Sequence, residues 1–136
     1  MAYGTANVDV IQSSTAGTPV QFNDGNGTQV GTLCRAWVNF DGTSASPITP
    51  RTNFNVSSVT KNATGDYTLN FISALTDANF ALVGNCLSTN TLTTRGFLSN
   101  SSATSYTPTT SSVRFATIAA GVGNTDYQYV YVAVFR

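Results

Sequence analysis

The sequence predicts an all-β fold, an antiparallel two-sheet β-sandwich of about seven strands, and three observations carry that prediction. The chain of 136 residues contains no Glu, one Lys and one Met, so it lacks the straight-chain residues and Glu/Lys pairs that exposed helix faces use. Its polar residues are mostly Thr, Ser and Asn, which branch at Cβ or compete with the helix backbone for hydrogen bonds. From Leu33 onward, apolar and polar residues alternate in short runs separated by turn-forming residues, the pattern of half-buried strands.

The first segment, residues 1–32, has too little apolar sequence for a core of its own and reads as an extended attachment or assembly segment. Within it, Val20 and Phe22 precede Asp24-Gly25-Asn26-Gly27, and Thr28 and Val30 follow, which predicts a small hairpin. An isolated hairpin is marginal in water, so this one needs support from the main domain, from other copies or from another partner.

Residues 33–136 read as the sandwich domain. In the run Leu33 to Phe40, Cys34, Ala36, Val38 and Phe40 share one face, and Leu33, Arg35, Trp37 and Asn39 the other. Phe54 and Val56 mark the second strand, and Tyr67, Leu69 and Phe71 the third. Gly65 lies in the turn between those two, where a tight hairpin takes positive φ, so they pair antiparallel. A corner from Ala74 to Asn79 leads to a fourth run, Phe80 to Leu87. A weaker strand spans Thr93 to Leu98, a long polar loop follows, and the sixth strand carries Val113 and Phe115. After Gly121-Val122-Gly123-Asn124, the last run places Tyr127, Tyr129, Tyr131, Ala133 and Phe135 on one face and Val130, Val132 and Val134 on the other. A strand apolar on both faces needs cover on both. Its second cover is either the segment 1–32 or a second copy of the chain, with Trp37, Tyr129, Tyr131 and Phe135 the candidate oligomer interface.

Composition bears on function as well. Six basic and six acidic residues give a formal net charge of zero with no basic cluster, which argues against a nucleic-acid partner. No apolar run approaches the roughly 18 residues of a membrane span, and the N-terminal residues lack the pattern of a secretory signal. The expected place is therefore the cytosol until assembly, with Cys34 and Cys86 more readily free thiols than a disulfide. Without any His, the commonest general base and metal ligand is absent, and neither a catalytic site, a metal site nor a cofactor is expected. Paired Asp could still serve glycoside hydrolysis, but every Asp except Asp9 lies in or beside a turn, where local hydrogen bonding accounts for it. Asp24-Gly25-Asn26 lacks the closing Glu of a calcium loop, and the Gly pairs are followed by neither helix nor Lys, so they read as turns.

The block Leu33 to Thr43 (Leu-Cys-Arg-Ala-Trp-Val-Asn-Phe-Asp-Gly-Thr), the run Asn53 to Phe71 with its Asn-Ala-Thr-Gly-Asp-Tyr turn, and Asp77-Ala78-Asn79-Phe80 together resemble the C-terminal domain of tail fibre and related virion proteins of tailed bacteriophages, including those of cyanobacteria. The run Val8 to Gly17 is similar to a segment that often precedes this block. The resemblance implies a non-enzymatic virion structural protein, typically a homotrimer, at a fibre or its tip and often holding a host surface glycan. Partners on that reading are sister copies, other virion proteins met through residues 1–32, and host cell-surface polysaccharide. The alternative is a capsid or tail decoration or adaptor protein without receptor binding.

If seven strands simply alternate in direction, the loops Asp41 to Pro50, Ser73 to Asn79 and Ser99 to Thr110 gather at one end. The other end then holds Thr32, Lys61 to Gly65, Ser88 to Leu92 and Ala119 to Asp126. Asp41, Asp77, Asn79, Asn100 and Tyr106 are accordingly the candidate receptor-binding loop residues, with amides and carboxylates for sugar hydroxyls and a Tyr to stack.

Overall fold

Among the described residues, strand-forming alternation becomes eleven strands in a computed structural model of the chain. It describes residues 8, 10–12, 14, 20–88 and 107–136 in full and the backbone of 95–99. By its contacts the chain divides into two units, Met1–Leu33 and Cys34–Arg136.

In the first unit, β1 (Phe22–Asn23) pairs antiparallel with β2 (Gln29–Gly31), Phe22 opposite Gly31. Asp24 ties the turn by accepting hydrogen bonds from the N–H groups of Asn26 and Thr28, and Gly27 supplies a φ of 82°.

The second unit holds β3 (Cys34–Phe40), β4 (Thr52–Phe54), β5 (Val56–Ala63), β6 (Asp66–Phe71), β7 (Ala81–Leu87), β8 (Arg95–Ser99), β9 (Ser112–Ala119), β10 (Gly123–Asn124) and β11 (Tyr129–Phe135). Hydrogen bonding runs in the order β4-β3-β11-β7-β8-β9-β6-β5, every pair antiparallel, with β10 added beside β9. The two layers of the sandwich, β4-β3-β11-β7 and β8-β9-β6-β5, are joined where β7 meets β8 through Cys86 opposite Gly96 and Leu87 opposite Arg95.

The layers close on one another through their apolar faces. Ala36, Val38 and Phe40 from β3 and Val130, Val132 and Val134 from β11 meet Tyr67 and Leu69 from β6 and Val113 and Phe115 from β9. Phe40 stands edge-on to Tyr67 with ring centres 5.1 Å apart and to Phe115 at 6.4 Å, the T-shaped geometry that ring quadrupoles favour. Cys86 is buried here, and Cys34 and Cys86 are not joined in a disulfide.

The expected second strand is in fact two. Asn55 takes a φ of 54°, held there because its side-chain amide donates to the carbonyls of Arg35 and Ser73 while its oxygen accepts from the Ser73 N–H. Asn tolerates this left-handed conformation better than most residues. The chain therefore reverses between Phe54 and Val56, which adds a strand and inverts the parity of everything before it. The loop after Asp41 belongs with the Lys61–Gly65 turn and the Thr125–Tyr127 segment, to which it is hydrogen-bonded, and not with Ser73–Asn79. The start of β3 lies at the opposite end, where Arg35, Asn55 and Ser73 meet and Leu75 N–H reaches the Thr110 carbonyl. Tyr127 also departs from expectation. It precedes β11 and turns into the core, 1% exposed, because the Gly42 N–H draws its carbonyl toward the Asp41 loop.

Candidate functional site

The sandwich has two outer faces of opposite character. On the face of β5, β6 and β9, Ser58 lies opposite Asn70, Thr60 opposite Thr68, and Thr68 opposite Arg114. These groups bond one another: Asn70 donates to Ser58 and Thr60, Asn62 to Thr68 and Asp66, and Arg114 grips Asp66 through two nitrogens. Such a ladder is content in water.

The outer face of β4-β3-β11-β7 sets large apolar and aromatic side chains beside Asn and Thr. Because side chains alternate along a strand, burying Ala36, Val38, Phe40 and the three valines of β11 forces Trp37 and Asn39, Tyr129, Tyr131, Ala133 and Phe135 outward. Cross-strand register sorts them into two rows. One runs Phe54, Trp37, Ala133, Val83; the next runs Thr52, Asn39, Tyr131, Asn85. Trp37, Tyr131, Val83 and Phe54 are 37%, 42%, 49% and 53% exposed. Between the rows lies an open hollow of about 470 Å³, whose lining includes Trp37, Tyr131, Asn39, Asn85 and Ala133 and carries no charged side chain.

Of the four residues expected at an oligomer interface, Trp37 and Tyr131 are exposed on this face, and Tyr129 and Phe135 are half-buried at its margins. Tyr129 stacks on Tyr131 with ring centres 6.4 Å apart, and the Arg51 guanidinium sits 4.5 Å over the Tyr129 ring. Arg51 also reaches Asn39, Asp41 and the Gln128 carbonyl.

Of the expected receptor-binding residues, the three that are described do not gather. Asp41 lies at one end of the sandwich, holding its own turn through the Thr43 N–H and hydroxyl and pairing with Arg51. Asp77 and Asn79 lie at the other end. There Arg136 binds both oxygens of Asp77, whose carboxyl is held down at about 2 chiefly by that hydrogen bond, and Asn79 N–H caps the same carboxylate. Asn100 and Tyr106 fall outside the described residues.

Sequence reading missed a network around Asp126, which joins residues some sixty positions apart. Its carboxylate accepts from Lys61 Nζ at 2.6 Å, Gly65 N–H at 2.6 Å and the Tyr67 hydroxyl at 2.7 Å. Burial alone would raise the Asp126 pKa, but the hydrogen bonds from Lys61, Gly65 and Tyr67 outweigh it and hold it below the ordinary value. Burial first, then the adjacent Asp126 carboxylate, push the Tyr67 hydroxyl well above its usual range. Thus Asp24, Asp41, Asp66, Asp77 and Asp126 each hold a turn or an ion pair. Among the described residues no three His, Cys or Asp side chains gather into a metal site.

No protein-family model matches the chain, and no curated protein matches it. Among solved structures, the chain is similar to the phiAB6 tailspike, solved in complex with three-repeated oligosaccharides of Acinetobacter baumannii surface polysaccharide. The TM-score is 0.48 at 18% identity, over 96% of this chain and 30% of that one.

Proposed function

We propose that the chain is a non-enzymatic bacteriophage virion protein, a short tail fibre or fibre-tip subunit that attaches to host surface glycan and associates as a homotrimer. The observation that carries this reading is the contrast between the two outer faces. A polar, internally bonded face needs nothing, whereas an aromatic one with Trp37, Phe54, Val83 and Tyr131 in water is built for contact. The resemblance of the Leu33 to Phe80 block to tail fibre domains supplies the class of protein. Engagement of the five described aspartates in turns and ion pairs supports the absence of hydrolytic chemistry.

The test combines sedimentation velocity of the purified chain at micromolar concentration with affinity electrophoresis through gels containing bacterial surface polysaccharide. A trimer retarded by polysaccharide, with no reducing ends released, is expected. A monomer that no polysaccharide retards overturns the reading, and release of reducing ends makes the protein a depolymerase instead.

A further inference from the structure

We propose that Asn26 is a self-modifying site, at which the Gly27 backbone nitrogen displaces the side-chain amide as ammonia and leaves aspartate or isoaspartate in its place. The step is independent of the attachment reading and uses only the hairpin tip and water. Its chemistry begins in the sequence. Asn26-Gly27 is the sole Asn-Gly pair among 136 residues, and every other Asn precedes a residue that carries a Cβ. A Cβ on the following residue crowds its nitrogen and narrows its φ, and Gly has neither restriction.

Surroundings then separate Asn26 from its competitors. Asn26 is exposed, and its side-chain amide has no hydrogen-bond partner among the described residues. Around Gly27 the space is open, since an added Cβ would meet nothing within 4 Å. The Gly27 N–H donates to the Asp24 carbonyl at 3.1 Å, in a hairpin of two paired positions. A hairpin so short is marginal in water, so the opening that frees this nitrogen and lets the Asn26 side chain swing onto it is a local event. Amides of the sandwich are committed instead: Asn39 accepts from Arg51, and Asn55, Asn62 and Asn70 donate to neighbouring strands or turns. The two Asp-Gly pairs are restrained as well, because a charged carboxylate resists attack by nitrogen. Asp24 also holds the Asn26 and Thr28 N–H groups, and the Gly42 N–H is bonded to the Tyr127 carbonyl at 2.8 Å.

The step balances without oxidant or metal. The Gly27 nitrogen forms a bond to Asn26 Cγ, the bond from Cγ to the side-chain nitrogen breaks, and that nitrogen departs as ammonia with the proton Gly27 gives up. Water then opens the cyclic imide. Attack at Cγ leaves aspartate, and attack at the main-chain carbonyl leaves isoaspartate, whose backbone runs through one additional methylene. Either product adds one negative charge to a chain of formal net charge zero. The second also lengthens the tip that Gly27 closes at a φ of 82°, and so shifts β2 against β1.

The test incubates the purified full chain in warm, mildly alkaline buffer and maps its peptides by mass spectrometry, with a protein isoaspartyl methyltransferase to count isoaspartate. The expected result is ammonia release and the mass gain of an amide-to-acid conversion at Asn26, first order in protein and faster as pH rises. Because only local opening is needed, the rate should lie within about tenfold of that in urea-unfolded chain. The committed Asn residues of the sandwich should convert only in urea. Asn26→Gln, whose longer side chain must close a larger ring, should lower total conversion at least tenfold. Conversion at another Asn or at Asp41 ahead of Asn26, or equal conversion in Asn26→Gln, overturns the inference. An Asn26 that stays intact in the folded chain, whether or not it converts in urea, overturns it too.

Discussion

Substituting Asp126 tests whether the Lys61–Tyr67–Asp126 network holds one end of the sandwich. In Asp126→Ala the Gly65 N–H loses its acceptor, and a buried unsatisfied donor costs about 1–3 kcal/mol. Tyr67 keeps a bond to the Gly42 carbonyl at 2.9 Å, so its loss is nearer about 1 kcal/mol. Lys61 retains the Gly42 carbonyl at 3.0 Å, and its ion pair is partly solvated, with Asp126 23% exposed, which limits that contribution to about 1 kcal/mol. The total is about 4 kcal/mol, a large share of the roughly 5–15 kcal/mol by which domains are stable. Asp126→Asn keeps an oxygen for Gly65 and Tyr67 and should lose only about 1–2 kcal/mol. Equilibrium urea unfolding measures both; with a slope near 2 kcal/mol/M, Asp126→Ala should lower the midpoint by about 2 M. If Asp126→Ala cost less than about 1 kcal/mol, or matched Asp126→Asn, the network would be incidental to folding. The Asp126 pKa is depressed in the fold, so its contribution is complete above the unfolded value near 3.8 and fades as pH falls through the lower folded value.

Gly65→Ala and Gly121→Ala form a contrast, since both positions have positive φ, 62° and 77°. A Cβ on Gly65 would lie 2.4 Å from the Thr125 nitrogen and 2.8 Å from the Thr117 oxygen, whereas one on Gly121 meets nothing within 4 Å. Thermal unfolding should show Gly121→Ala costing about 1–2 kcal/mol, the left-handed penalty alone, and Gly65→Ala distinctly more. Phe40→Ala, which removes the ring touching Tyr67 and Phe115, should cost about 3–5 kcal/mol in urea unfolding. In Arg136→Ala the Asp77 carboxyl, now at about 2, should titrate closer to an ordinary Asp by NMR, while Asn79 N–H keeps it from returning fully.

Several elements were legible in the sequence because their cause is local. The two faces of β3 and β11 follow from alternation within seven residues, and the β5–β6 hairpin from Gly65 in its turn. That Trp37 and Tyr131 face outward was also readable; that they stand diagonally across Ala133 was not, because pairing register depends on the whole ladder. The arrangement of the loops failed at Asn55. Phe54 and Val56 look like consecutive inward positions of one strand, and only the bonds from Asn55 to Arg35 and Ser73, 20 and 18 residues away, reveal a reversal. One Asn between two apolar residues was the available signal. Asp126 hid for a similar reason: in a turn it needs no explanation, and its partners lie 59 to 65 residues away.

Immunogold micrographs of phage particles that carry this chain test the central claim most directly. Label at the tail tip or along the tail fibres is the predicted result. Label spread over the capsid would mark a decoration protein, and particles without label would remove the protein from the virion altogether.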